Sequence, residues 1–304
     1  MLIKNLFNIS VIVLLTYCQA DRTELTGHIG RPDISPDGNK IAFIYAKDAS
    51  KDVWEIYSSD INGENVKQLT NFTKARIKKG PVWSPNGKKL TFHADIDNGA
   101  QIFVTDANGE NLTQLTNLSG YNVEPHWSPD GHKIIFNSIP KDGKVQMFIM
   151  DHDGSNIEQL HNPDGQNWYP RMTTQNEIIF TSDFNHENYY DIFIMNRDGS
   201  NIRQLTTVKA INWFPEYSPD ETKIVFHTNK DDPQISDSGD YNLYVMNPDG
   251  TGLEQLTDLE GQELHAKWHP SGNKIIFEWH NQISMGLYTL DISTGEIQKI
   301  KLTY

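Results

Sequence analysis

Between Val123 and His161 the chain reads Val-Glu-Pro-His-Trp-Ser-Pro-Asp-Gly-His-Lys-Ile-Ile-Phe-Asn-Ser and then, after a short gap, Met-Phe-Ile-Met-Asp-His-Asp-Gly-Ser-Asn-Ile-Glu-Gln-Leu-His. Four short apolar runs alternate with three turn signals: Ser128-Pro129-Asp130-Gly131, Pro140 to Gly143, and Asp153-Gly154. Proline presets φ, aspartate caps the turn through its side chain, and glycine takes the position with φ > 0. Short runs rich in Ile, Phe, Val and Trp between such signals are antiparallel strands, so this stretch predicts a four-stranded meander.

The meander recurs along the chain. Ser-Pro-Asp/Asn-Gly stands at Ser35 to Gly38, Ser84 to Gly87 and Ser128 to Gly131, with degenerate copies at Thr173 to Asn176, Ser218 to Glu221 and His269 to Gly272. A strand ending in Phe43, Phe92, Phe136, Phe180, Phe226 or Phe277 follows each copy. The second turn returns at Gly63, Gly109, Gly154, Gly199, Gly250 and Gly295, and Gln-Leu-Thr (Gln159-Leu160-His161 as a variant) closes the unit. One small sheet cannot bury both faces until neighbours stack on it, so six such units predict an all-β, six-bladed β-propeller of four-stranded blades.

These motifs carry a family resemblance. Pro-x-Trp-Ser-Pro-Asp-Gly-x-Lys-Ile-x-Phe, followed by the Met-Asn/Asp-x-Asp-Gly and Gln-Leu-Thr elements, resembles the WD-like repeat of TolB-type propellers from about Arg31 to the C-terminus. The same repeat occurs in periplasmic TolB, in the propellers of prolyl-oligopeptidase-like peptidases and in oligogalacturonate lyase-like enzymes. The chain shows neither the α/β domain that precedes the propeller in TolB nor the peptidases' hydrolase domain, so neither activity carries over. The repeat specifies a fold far better than a function.

Three segments are expected: residues 1–20 as a signal peptide, 21–30 as a connector, and 31–304 as the propeller. Lys4 precedes an apolar run from Leu6 to Leu15, too short to span a bilayer, and Cys18-Gln19-Ala20 fits a cleavage site after Ala20. Alternatively, Leu15-Thr16-Tyr17-Cys18 resembles a lipoprotein box with Tyr17 as a departure, which would lipidate Cys18. Both readings imply an exported bacterial protein (periplasmic, outer-membrane-anchored or secreted) that meets a membrane only through an N-terminal lipid anchor. Cys18 is the one cysteine, so the propeller must hold without a disulfide. Ring closure stays open between Glu24-Leu25-Thr26 and Ile297 to Leu302, both of which suit an outer strand of the last blade. A formal charge of −14 argues against nucleic acid, whose binding needs phosphate neutralisation.

If each inner strand begins at its proline, the next residues fall on one rim: Asp33, Val82, His126, Arg171, Glu216 and Lys267. Charged residues are rarely buried unpaired, so these should line the channel and pair around it. Positions just past each Phe add His93 and Asp95, Asn137, Asp183, His227, Glu278 and His280, with His265 entering the sixth inner strand. These histidines either form a metal or acid–base site assembled across blades or line a structural polar channel. The metal candidates are His93, His227, His265 and His280.

Asn167-Trp168-Tyr169-Pro170 and Asn212-Trp213-Phe214-Pro215 place paired aromatics beside Arg171, as stacking on a sugar ring would require, or as wedges between blades. Lys74 to Lys79 is a basic loop, either anion-recognising or merely solvated, and Asn229 to Asp240 is an expanded acidic loop of the fifth blade. Gly-x-Ser-x-Gly and Gly-rich phosphate loops are absent from the sequence, so peptidase-like hydrolysis has no support.

Two functional expectations follow. One is a non-catalytic module binding a protein or a saccharide at the mouth through Arg171, His126, Glu216, Lys267, Trp168, Tyr169, Trp213 and Phe214. The other resembles oligogalacturonate lyase: His126 or His227 abstracts a proton α to a uronate carboxylate that Arg171 or Lys267 neutralises, with a divalent cation in the central channel. The lyase reading expects rim histidines within metal-ligand reach of one another; the binding reading expects separated histidines and an open aromatic surface.

Overall fold

The computed structural model describes residues 23–304 apart from 52, 73, 74, 76, 98, 141, 142, 162, 186–188, 233–238 and 282–284. The proposed leader with Cys18, Lys74 and Arg76 of the basic loop, and much of the acidic loop lie outside the described residues.

Six four-stranded antiparallel sheets, each built from one continuous stretch of chain, form the blades. Blade one runs through His28–Ile34, Lys40–Ala46, Glu55–Asp60 and Lys67–Gln68 from the axis outward. The inner strands of the other five blades are Lys78–Trp83, Tyr121–Trp127, Asn167–Met172, Asn212–Tyr217 and Gln262–Trp268. Six apolar clusters fill the gaps between blades; one joins Ala42 and Ile56 of blade one to Trp83, Leu90 and Phe92 of blade two. Another joins Ile276, Leu287 and Ile300 of blade six to Ile41, Phe43 and Tyr57 of blade one, closing the ring.

Both candidate segments take part in that closure. Ile297–Lys299 supplies the fourth strand of blade six, and Glu24 bridges Thr303 beyond it. The Leu25 amide donates to the Leu302 carbonyl at 2.8 Å, while Val66 of blade one donates to Thr303 at 3.0 Å. The seam also copies a contact made between other blades. The Asp-Gly turn of one blade sits on the Gln-Leu-Thr end of the blade before it: a Cβ on Gly109 would collide with the Leu69 carbonyl, and one on Gly63 with that of Lys301. Both glycines have φ near +87°, which side chains rarely adopt.

The inner strands depart from the sequence reading in one respect that shapes the site. They begin not at the proline but three or four residues before it, and the proline (Ala266 in blade six) lies in a β-bulge. In blade one Gly30 pairs with Ile44 and Asp33 with Ala42, so Arg31 and Pro32 together oppose Phe43. The register breaks at the equivalent place in every other blade. Each bulge opens on a residue of positive φ: Arg31, Gly80, Glu124, Tyr169, Phe214 or His265. A bulge leaves an N–H out of the ladder, so proline follows at little cost, and the fully buried Phe fills the space behind. That explains the pairing of Pro with Phe in the repeat.

Candidate functional site

The bulge turns one extra residue per blade toward the axis, so the channel carries two rings. Arg31, Gly80, Glu124, Tyr169, Phe214 and His265 form the upper ring at the mouth. Asp33, Val82, His126, Arg171, Glu216 and Lys267 form the ring beneath, one layer further down than the rim expected from the sequence. Arg31 and Glu124 were not singled out from the sequence. Their signal was the repeat itself, since they occupy the place of Tyr169, Phe214 and His265 before the proline.

The lower ring neutralises itself. Glu216 lies 2.7 Å from Lys267 Nζ, 3.3 Å from Arg171 Nε and 3.8 Å from His126 Nε2. Lys267 also reaches Asp33 at 3.5 Å, and Asp33 accepts the Trp83 amide at 2.7 Å. Two carboxylates and two cations thus alternate over three blades and the start of the first. Burial would raise the Glu216 carboxyl, but Lys267, His126 and Arg171 together hold it well below the usual range. Asp33 has less compensation, and burial pushes it up to about 6. Burial, with Arg171 nearby, lowers His126 to about 4 and keeps it neutral at physiological pH. The space left along the axis is about 30 Å3, lined by Arg31, Gly80, Glu124, Phe214, His265 and Lys267 among others, which is room for a water or two but too little for a sugar ring.

In the upper ring Arg31 Nη1 pairs with Glu124 Oε1 at 2.5 Å, and its guanidinium lies 5.6 Å from the centre of the Phe214 ring. Burial works against the Glu124 carboxylate, yet Arg31 and His93 bring it down to about 2. Gly80 leaves a notch where the other blades present a side chain.

At three of the blade junctions the residue after the Phe has a structural task. It reaches the bulge of the next blade and accepts its otherwise unpaired N–H. Glu278 accepts from Arg31, His93 Nδ1 from Glu124 at 3.4 Å, and Asn137 Oδ1 from Tyr169 at 2.9 Å. Of the other three junctions, one carries the apolar Ile44 at this place, and at two the buried Thr181 Oγ1 and His227 Nδ1 have no hydrogen-bond partner among the described residues.

Of the four expected metal ligands, His93 stands apart, while His265 and His280 meet at one carboxylate with His227 nearby. His93 serves the bulge of blade three, and burial lowers it to about 4. His265 and His280 lie 2.8 and 3.4 Å from Glu278 Oε1, and despite burial these imidazoles hold that carboxyl down to about 2. The rings of His227 and His265 are 5.9 Å apart between centroids, with Phe214 packed against both at 5.3 and 4.2 Å. Among the described residues no group of three His, Cys, Asp or Glu is placed to hold a metal ion.

The aromatics lie within the inner strands rather than in loops before them, and they form a crescent over blades four and five. Tyr169 packs on Phe214 at 3.6 Å and on Trp168 at 5.7 Å between centroids, while Trp213 packs on Tyr169 and Tyr190. All four keep part of their surface exposed; Tyr121, which opens the inner strand of blade three, and Phe184, just past the second strand of blade four, lie at the same end of their blades and expose 52% and 39% of theirs. The basic loop behaves differently from either expectation at Lys78, which is buried and paired with Glu55 at 2.6 Å. Lys79 lies 5.8 Å from the Trp54 ring.

Comparison with known proteins places the fold. The TolB beta propeller domain family matches residues 24–189. A protein TolB homolog of Chlorobium chlorochromatii is 34% identical over 90 residues, 30% of this chain but only 19% of that protein's length. TolB from Acinetobacter baumannii superposes with a TM-score of 0.70 at 19% identity, over 90% of this chain and 63% of that one. An oligogalacturonate lyase in complex with manganese superposes with a TM-score of 0.62 at 15% identity, over 91% of this chain and 80% of that one. At these identities the two structural likenesses are likenesses of fold.

Proposed function

The chain belongs to the TolB beta propeller domain family, and on that premise we propose that it is a non-catalytic module docking a segment of a protein partner at its channel mouth. The observation that supports this most is the partly exposed aromatic crescent beside a shaft whose charges are already spent on one another. Exposed Tyr, Trp and Phe clusters are the common anchors of protein interfaces, because they bury much area at little entropic cost. Arg31 and Glu124 at the edge would set orientation, and Gly80 leaves room for one inserted side chain.

The lyase reading draws less support. Arg171 and Lys267, which would meet a uronate carboxylate, both face Glu216. His126 and His227 are neutral but poor bases, held low by burial. A saccharide on the crescent remains the second reading, because a sugar's C–H face stacks on the same rings. We further propose export, on the strength of Lys4, the apolar run to Leu15 and the small residues through Ala20.

The test is retention of cell-envelope proteins by the immobilised chain and by a Trp168→Ala/Tyr169→Ala variant, with a saccharide array in parallel. A protein retained by the wild type and released by the variant supports docking. Saccharide binding lost in the variant would transfer the site to the second reading.

A further inference from the structure

Opposite the mouth, on the face that carries the Ser-Pro-Asp-Gly turns, a groove of about 680 Å3 runs along the seam between blades six and one. Its floor is Ile61, Ile276 and Ile300, and its walls carry Lys274, Lys299 and Lys301 with Asn62, Asn273 and Thr289. No carboxylate lines it, in a chain with 40 acidic and 26 basic residues. Grooves on other blades are mixed: one carries Glu158 and Asp198 beside Arg197, another Asp130 beside Lys89.

The three lysines are uncompensated for reasons that can be traced. In blades two and three the lysine opening the second strand is neutralised by its register partner, Lys89 by Asp106 at 3.4 Å and Lys133 by Asp151 at 2.6 Å. Lys274 has the same register partner, Asp291, but that carboxylate accepts the Ser293 hydroxyl at 2.6 Å and the Ser293 and Thr294 amides instead. Lys299 and Lys301 arise from a departure in the repeat. They flank Ile300 where other blades read Gln-Leu-Thr, so two neutral positions become cationic at this seam alone. All three are exposed, and none forms an ion pair with a described carboxylate.

We infer that this seam groove binds a phosphate-bearing ligand, its anion among Lys274, Lys299 and Lys301 and its carbon skeleton on the isoleucine floor. Lysine ammonium groups are compact donors that suit a phosphate as point charges, and the volume falls within the range of small-ligand sites. The phosphate would belong either to a soluble phosphorylated saccharide or to a phospholipid headgroup; the chemistry at the lysines is the same.

The test uses the full chain, with glucose 1-phosphate by calorimetry and phosphatidylglycerol vesicles by co-sedimentation. Glucose, glucuronate and phosphatidylcholine vesicles are the controls. Binding in at least one phosphate arm is expected to fall with salt and to weaken about tenfold or more in Lys274→Ala/Lys299→Ala/Lys301→Ala, whose positions are all exposed. A Trp168→Ala/Tyr169→Ala change at the mouth should leave it untouched. A response to the sugar phosphate alone identifies a soluble ligand, and to the vesicles alone a headgroup. Absence of binding in both arms, equal binding of glucuronate, or indifference to the lysine changes would overturn the inference. None of those outcomes bears on docking at the mouth.

Discussion

Glu263 gives the sharpest quantitative prediction, because the fold buries its carboxyl with no cation beside it. Its side chain is fully buried at the junction of blades five and six. Oε2 accepts the Thr257 hydroxyl at 2.9 Å and Oε1 the Leu259 amide at 3.1 Å. At the preceding junction the acid stands on the other side: Asp191 accepts Asn212 Nδ2 at 3.3 Å and the Thr206 hydroxyl at 2.7 Å. Here Asn242 has the place of Asp191, and its Oδ1 is buried without a partner. Burial raises Glu263 to about 8 from 4.5, against the pull of Thr257 and Leu259 and with a push from Asp240 and Asp258.

The sign follows from linkage. A folded-state pKa above the unfolded one means the folded chain holds a proton that the unfolded chain gives up. The stability Glu263 contributes is therefore complete below pH 4.5 and drains as pH rises toward 8. At about 1.4 kcal/mol per pH unit, the ceiling is roughly 5 kcal/mol above pH 8 and about 3 kcal/mol at pH 7. Glu263→Gln keeps an acceptor for Leu259 and adds a donor able to meet Asn242, without the titration. Urea unfolding from pH 5 to pH 9 should show the variant gaining on the wild type by on the order of 1 kcal/mol per pH unit. Parallel profiles would refute the reasoning.

Three further perturbations test other parts of the account. Below pH 6.5 the unfolded chain takes up protons that buried His93 and His126, both held near 4, refuse. Stability should fall steeply between pH 6.5 and 4, and His93→Gln, which preserves an acceptor for the Glu124 amide, should flatten that slope in pH-dependent melts. Lys78→Met leaves the partly buried Glu55 carboxylate without its cation and should cost about 2 to 4 kcal/mol, while adding Glu55→Leu should restore a good part of it, as read by denaturant midpoints. Gly109→Ala drives a methyl into the Leu69 carbonyl from a backbone with φ near +89° and should lower stability by roughly 2 kcal/mol or more in thermal melts, with the neighbouring exposed Asn108→Ala as the mild comparison.

The fold was legible because the turn signals are local. Ser128-Pro129-Asp130-Gly131 and its copies mark each hairpin, and their spacing counts the blades. The lower channel ring was legible for the same reason, as the place after the proline recurs from Asp33 to Glu216 and Lys267 follows Ala266 at the equivalent place. Arg31 and Glu124 were not, because a bulge breaks the two-residue alternation on which strand reading depends, turning toward the axis a residue that the alternation points elsewhere. Nor does spacing along the chain reveal that Glu278 serves Arg31, 247 residues away. Those pairings belong to the closed ring. The same limit applies to His93: in isolation it reads as a metal ligand, and only the neighbouring blade shows it holding that blade's bulge, as Glu278 holds another.

The most direct test of docking at the mouth is site-specific photo-crosslinking in intact cells. A photoreactive phenylalanine analogue is placed at Tyr121 or Phe184, exposed on the mouth face, and, as the control, at Asn86 on the opposite face. The account predicts one and the same protein adduct from both mouth positions, absent from the Asn86 position and abolished when Trp168→Ala/Tyr169→Ala is added. Protein adducts from Asn86 alone, or mouth adducts indifferent to the crescent, would contradict it.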